Sequence, residues 1–170
     1  MENMPFPSFS GQTNTREMFQ AIRSVRKLLN SIHHTLYASS RTATIAASQS
    51  SPHSNSLNLS SPSFSRSSLE NVCSELEVWY QTLPNSIRPD LSKDPRDLQD
   101  AWLRLQYWSA KHIIYRPCLI HAASMSDAQD LPAFVKESSE KCINACRSSI
   151  NTASYVLVQR THYTWMTIQA

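Results

Sequence analysis

The stretch "LQYWSAKHIIYRPCLIHA", residues 105–122, is apolar round almost its whole helical circumference, yet an Arg-Pro pair, Arg116 and Pro117, interrupts its second half. A helix with one apolar stripe lies on a surface, whereas a helix that is apolar on nearly every side is covered by more than one neighbour. The stretch therefore predicts the central helix of an all-α fold. Its start is expected in "DPRDLQDAWLRL", residues 94–105, with Asp94 as N-cap, Pro95 at the first helical position and Asp97 in the first turn. Pro117 removes one amide from the helical ladder and crowds the carbonyl of Ile113, so a kink is expected there, costing about 3 kcal/mol unless packing offsets it. The carbonyls released in this way need a donor. A guanidinium offers five N–H groups in a rigid fork, so Arg116 is expected to bridge such carbonyls, in preference to meeting an anionic ligand.

Three further segments have the periodicity of helices that would cover this one. In "NTREMFQAIRSVRKLLNSIHHTLYA", residues 14–38, Asn14 and Glu17 have the spacing of a capping box, and Met18, Ile22, Val25, Leu29, Ile32 and Leu36 recur at steps of four and three. The opposite face, with Arg16, Arg23, Arg26 and Lys27, reads as a solvated surface, because the basic run is short and broken. In "SLENVCSELEVWYQTLPNSIRP", Ser67 and Glu70 repeat the capping spacing, Leu69, Val72, Leu76, Trp79 and Leu83 form one stripe, and Pro84 forces the preceding residue out of helical geometry. A last helix is expected from near Asp130, with Pro132 just inside and Phe134, Ser138, Cys142, Ala145, Cys146, Ser149, Ala153 and Val156 on one face whose small side chains permit close packing.

Between the first two of these helices, residues 39–67 are dominated by serine, with prolines at 52 and 62. Such a segment buries too little apolar surface to offset the entropy of ordering it, so it reads as a flexible linker inside the domain. The expected organisation is a disordered N-terminus over 1–13 and a helical unit over 14–170 interrupted by that linker. The aromatic stretch "THYTWMTIQA" after Arg160 looks like the first turns of a further helix, so the bundle is expected to be incomplete.

Composition narrows the chemistry. Of 170 residues, 41% are hydrophobic, enough for one core, and 16 basic residues stand against 13 acidic ones without a concentrated basic arm, which is weak support for nucleic-acid binding. The single glycine, Gly11, excludes phosphate-cradling loops, dinucleotide fingerprints and nucleophile elbows, each of which needs several glycines at fixed spacing. The four cysteines, Cys73, Cys118, Cys142 and Cys146, do not form the C-x2-C pairs that grip zinc, and a reduced intracellular setting is expected. No apolar stretch reaches the length of a membrane span. The N-x-S sequon at Asn58 reads as a chance match.

Cys142 and Cys146 are four apart on one helix and face the same way, but no His or Cys stands at a spacing that would complete a ligand set, so core packing is the expected role. The six histidines give no H-E-x-x-H motif, and the adjacent His33 and His34 point apart. Asp94, Asp97, Asp100, Glu137 and Glu140 are explained by helix starts and polar faces. No catalytic, cofactor-binding or metal-ligating residue is therefore expected. The one enzyme-class arrangement worth keeping joins Arg116 with His112 or Tyr115.

The blocks "IRSVRKLLNSIHHTLYASS", "ELEVWYQTLPNSIRP", "LRLQYWSAKHIIYRPCLIHA" and "KCINACRSSINTAS", in this order, resemble the helical regulatory region (middle homology domain) of fungal binuclear zinc-cluster transcription factors. The resemblance covers the chain from about Thr15 to Ala170. It implies an all-helical domain, downstream of a DNA-binding cluster, that governs activity, effector response or dimer behaviour of a nuclear factor. It marks Trp79, Leu83, Pro84, Tyr107, Arg116, Pro117, Cys142 and Ala145 as structural positions and carries over no catalytic residue. The cysteine-rich cluster that binds zinc and reads DNA in such factors has no counterpart here, so zinc is expected only in a full-length relative, and DNA only through a parent or partner protein. The implied partners are related factors, in homo- or heterodimers, with no membrane contact. The implied location is the nucleus, or the cytoplasm for a truncated chain without an import signal. The rival expectations are a free-standing helical interaction module and a non-functional truncated product.

Overall fold

Each of the four apolar patterns becomes a helix, in a computed structural model that describes residues 13–38, 65–125 and 131–158. Helix α1 spans Thr13–His33 and widens over His34–Ala38 into a π-helical turn; α2 spans Arg66–Thr82, α3 Leu98–Ser124 and α4 Ala133–Val158. No strand occurs among the described residues, so the fold is all-α. The expected N-terminal disorder, the linker up to residue 64, the start near Asp130 and the aromatic tail lie outside the described residues. Thr13 already belongs to α1, and residues 66 and 67 of the expected linker already belong to α2.

The stripes pack as their spacing demands. Met18, Ala21, Val25, Ile32 and Leu36 from α1 and Leu69, Val72, Leu76, Trp79 and Leu83 from α2 and its end are buried together with Leu103, Tyr107, Ala110, Ile114, Tyr115 and Cys118 of α3 and Val135 and Cys142 of α4. Helix α3 is thus covered by all three neighbours. Each fully buried Leu or Ile stabilises this core by roughly 1.5–3 kcal/mol. A smaller cluster joins Ala101 and Leu105, near the start of α3, to Val156, near the end of α4, so these two helices run antiparallel. The small side chains Ser138, Cys142 and Ala145 are buried on the inner face of α4, as close packing requires. The buried hydroxyls of Ser139 and Thr152 donate to the carbonyls of Val135 and Ser148, each at 2.8 Å, so they cost the interface no unpaired polar group.

Helix ends depart from the sequence expectation. The N-cap of α3 is Asp97, whose side chain accepts from the Asp100 amide at 2.8 Å; Asp94 and Pro95 belong to the preceding loop. Ser65, not Ser67, precedes α2, with no side-chain cap, its hydroxyl 2.6 Å from that of Ser67. Asn14 falls inside α1, and Pro132 stands one residue before α4, where its carbonyl accepts from the amides of Val135 and Lys136. Several Ser, Asp and Asn residues compete for each cap, and local spacing alone does not choose among them. The stop at Pro84 holds: Leu83 leaves the helix with ψ of 134°.

The connection from α2 to α3 is held by arginine. Arg104, on the otherwise apolar helix, is only 4% exposed, and Asp100, one turn earlier, only 2%. Arg104 donates from Nε to Asp100 at 2.6 Å, from one terminal nitrogen to the carbonyl of Lys93, and from the other to the carbonyls of Asp90 and Asp94 at 2.7 and 3.1 Å. Arg96 adds bonds to Asp100 at 2.9 and 3.0 Å and to the Arg88 carbonyl at 3.1 Å. A loop without regular structure must place its carbonyls somewhere, and here two guanidinium forks collect them. Asp100 is therefore a buried ion-pair partner, a role that reading it as an ordinary helix-start residue missed.

Candidate functional site

The marker positions fall into two groups. Trp79, Leu83, Tyr107, Cys142 and Ala145 are buried, whereas Pro84 and Arg116 are exposed and Pro117 is half-buried inside α3. Trp79 donates its indole N–H to Ser24 Oγ at 2.9 Å, and Ser24 donates in turn to the Ala21 carbonyl, which fixes α2 against α1. The Tyr107 hydroxyl donates to Glu77 Oε1 at 2.8 Å; Lys111 pairs with the same oxygen at 2.9 Å and lies 4.8 Å from the centre of the Tyr107 ring. Burial, followed by this carboxylate, raises the Tyr107 hydroxyl above the ordinary tyrosine range. Tyr115 is raised by burial and by its contact with Cys73 Sγ, at 3.1 Å on α2.

Arg116 does not do what its chemistry suggested. The Ile113 carbonyl, which Pro117 deprives of its helical donor, accepts from the Tyr37 hydroxyl at 2.8 Å. The next carbonyl back, that of His112, accepts from the Cys142 thiol at 3.7 Å. Both groups are satisfied from neighbouring helices, and α3 continues through Pro117 to Ser124. Arg116 extends toward solvent, and no hydrogen bond to it is found among the described residues. The π-helical turn that ends α1 carries Tyr37, so the widening of α1 and the proline of α3 are two sides of one contact.

The same turn of α3 holds a cluster of three groups able to ligate a metal, among the described residues. His112, Cys142 and Cys146 bring their ligand atoms within 4.8 Å of one another, with Cys142 buried and the other two half-buried. The two cysteines share a face of α4 because they are four residues apart, and antiparallel packing of α3 supplies the imidazole. Burial, then the nearby Arg116 charge, lowers the His112 pKa, which favours the neutral ring. Burial, then Cys146, pushes the Cys142 thiol up to about 11, so it is protonated at neutral pH and is not an activated nucleophile. Of the two enzyme-class pairings, Arg116 lies near enough to His112 for its charge to act on the ring, whereas the Tyr115 hydroxyl is engaged by Cys73 on α2.

A second feature is an open cleft of about 550 Å³ beside the start of α3, lined by Arg96, Asp97, Leu98, Gln99 and Tyr155. Its charged groups are already engaged, Arg96 with Asp100 and Asp97 with the Asp100 amide. No helix among the described residues is long and apolar enough to cross a membrane.

Comparison with protein-family models, with curated proteins and with solved structures gives no match for this chain. Its functional reading therefore rests on its own residues.

Proposed function

We propose that this chain is the regulatory, non-DNA-contacting part of a fungal transcription factor of the binuclear zinc-cluster type, acting on DNA-templated transcription in the nucleus through effector response or protein association. One observation carries the reading. Trp79, Leu83, Tyr107 and Cys142, drawn from three separate blocks of the resemblance, meet in a single buried core. Residues in these blocks serve one helical scaffold, as a regulatory domain without catalytic residues requires.

The test is to tether the whole chain to a heterologous DNA-binding module at a reporter promoter. Transcription is expected to shift with the tethered chain and to return to baseline when the core is broken by Leu76→Asp, while the untethered chain leaves DNA fragments unretarded. A tethered chain that is folded yet leaves transcription unchanged overturns the proposal.

A second reading, a free-standing helical association module, is supported by the flank of α4. Ile143, Ile150 and Leu157, spaced by seven, are 38%, 65% and 55% exposed, a seam suited to another helix. Homodimerisation through this seam is the form it takes, and sedimentation of the chain beside Ile150→Glu reads it directly: a wild-type monomer at high concentration removes this reading.

A further inference from the structure

We infer that His112, Cys142 and Cys146 form a binding site for one thiolate-seeking d10 cation, zinc(II) or copper(I). The sequence pattern supplied two of these ligands and no third; the fold brings His112 from α3 beside the pair on α4. In a tetrahedral site, metal–sulfur bonds of about 2.3 Å and metal–nitrogen bonds of about 2.0–2.1 Å set the ligands roughly 3.5–3.8 Å apart. The three atoms already lie within 4.8 Å of one another, so closing round an ion needs a contraction of the order of 1 Å, which rotation of the half-buried His112 and Cys146 supplies. In the metal-free protein the Cys142 thiol donates to the His112 carbonyl at 3.7 Å, which sets the two residues side by side, and this contact is given up with the proton on binding. The half-exposed pair leaves an entry path from solvent.

The ligand chemistry defines the class of ion. Two sulfurs and an imidazole select copper(I) and zinc over magnesium or calcium, which take oxygen. On binding, each thiol releases its proton to solvent and forms one Sγ–metal bond, the imidazole donates its lone pair, and no electron is transferred. With zinc the complex is neutral and has a fourth position open to water or an added ligand. With copper(I) it is three-coordinate and carries one negative charge.

The experiment is a titration of the full-length reduced chain with zinc(II) against a chromophoric chelator, and with copper(I), under reductant, against a copper(I)-specific one. One equivalent is expected to bind in at least one arm, with a rise in the thermal midpoint, and the stronger arm names the ion. His112→Gln and Cys146→Ser, at half-buried positions, are each expected to weaken binding by more than about 100-fold, beyond the loss typical of an outer-shell change. Cys73→Ser, at a thiol on α2, is expected to leave binding intact. Circular dichroism of each variant separates lost ligation from lost fold. Absence of stoichiometric binding in both arms overturns the inference, as does binding that survives in folded His112→Gln and Cys146→Ser. The regulatory reading stands or falls separately, on the reporter assay.

Discussion

Replacing Arg104 by Met is the sharpest test of how this fold is held. The pair it forms with Asp100 is enclosed, with side-chain exposures of 5% and 1%, so the change leaves a carboxylate in a nearly dry site with one partner fewer. Removing one member of a buried pair costs about 3–5 kcal/mol, most of it the penalty of the stranded charge. Arg96 remains on Asp100, from a position 54% exposed, which places the expected cost near the lower limit, about 3 kcal/mol. The three loop carbonyls that Arg104 serves are near enough to solvent for water to replace much of that loss. For a chain of this size, about 3 kcal/mol lowers the melting midpoint by roughly 6–12 °C. The assay is urea unfolding of Arg104→Met, Asp100→Asn and the double variant, followed by circular dichroism. The double variant is expected to recover part of the loss, because it removes the stranded charge together with its partner. If Arg104→Met costs less than about 1 kcal/mol, the typical limit for exposed pairs, the buried-pair argument is refuted.

Further predictions follow from the same contacts. Tyr37→Phe deprives the Ile113 carbonyl of its donor and is expected to cost about 1 kcal/mol, whereas Arg116→Ala is expected to stay within about 0.5 kcal/mol; paired urea titrations that return the opposite order would restore Arg116 as the bridging residue. Leu76→Ala, at a fully buried site on α2, should destabilise by about 2–5 kcal/mol in the same assay. In alkali, Tyr107 and Tyr115 hold their protons in the fold beyond the ordinary tyrosine pKa of about 10. The folded state then binds more protons than the unfolded one, so this contribution is fully present below about pH 10 and is lost as pH rises beyond it. Tyrosinate absorbance should lag in the folded chain and catch up on unfolding, and simultaneous ionisation in both states would contradict the burial of these two hydroxyls.

Much of the fold was legible because helical periodicity is a local property. The stripe Leu69, Val72, Leu76, Trp79 and Leu83 needed only its own spacing, and all five residues are buried. The all-round apolarity of α3 announced several neighbours, and three helices cover it. What spacing does not encode is which groups meet across the bundle. Asp100 and Arg104 stand four apart in an apolar helix, a pairing visible in the sequence, yet its burial depends on a loop folding back over it. The donor for Ile113 lies 76 residues upstream, and His112 meets Cys142 across a separation of 30. The chemistry was correctly anticipated, since carbonyls freed by Pro117 do need a donor, but a tyrosine on another helix reaches one of them and the adjacent arginine does not. The candidate site was half legible: two thiols on one face were plain, and the imidazole opposite required the antiparallel register of α3 and α4.

The anchoring of the α2–α3 connection has a bearing on the order in which the molecule is assembled. The carbonyls gathered by Arg104 lie 10, 11 and 14 residues away along the chain. Loops of that length close in roughly 10–100 ns, so these contacts are sampled early. The link between Tyr37 and Ile113 must search across 76 residues, a closure with a larger entropic barrier. The contacts that hold the start of α3 thus close over shorter stretches of chain than the one that docks α1 on its middle.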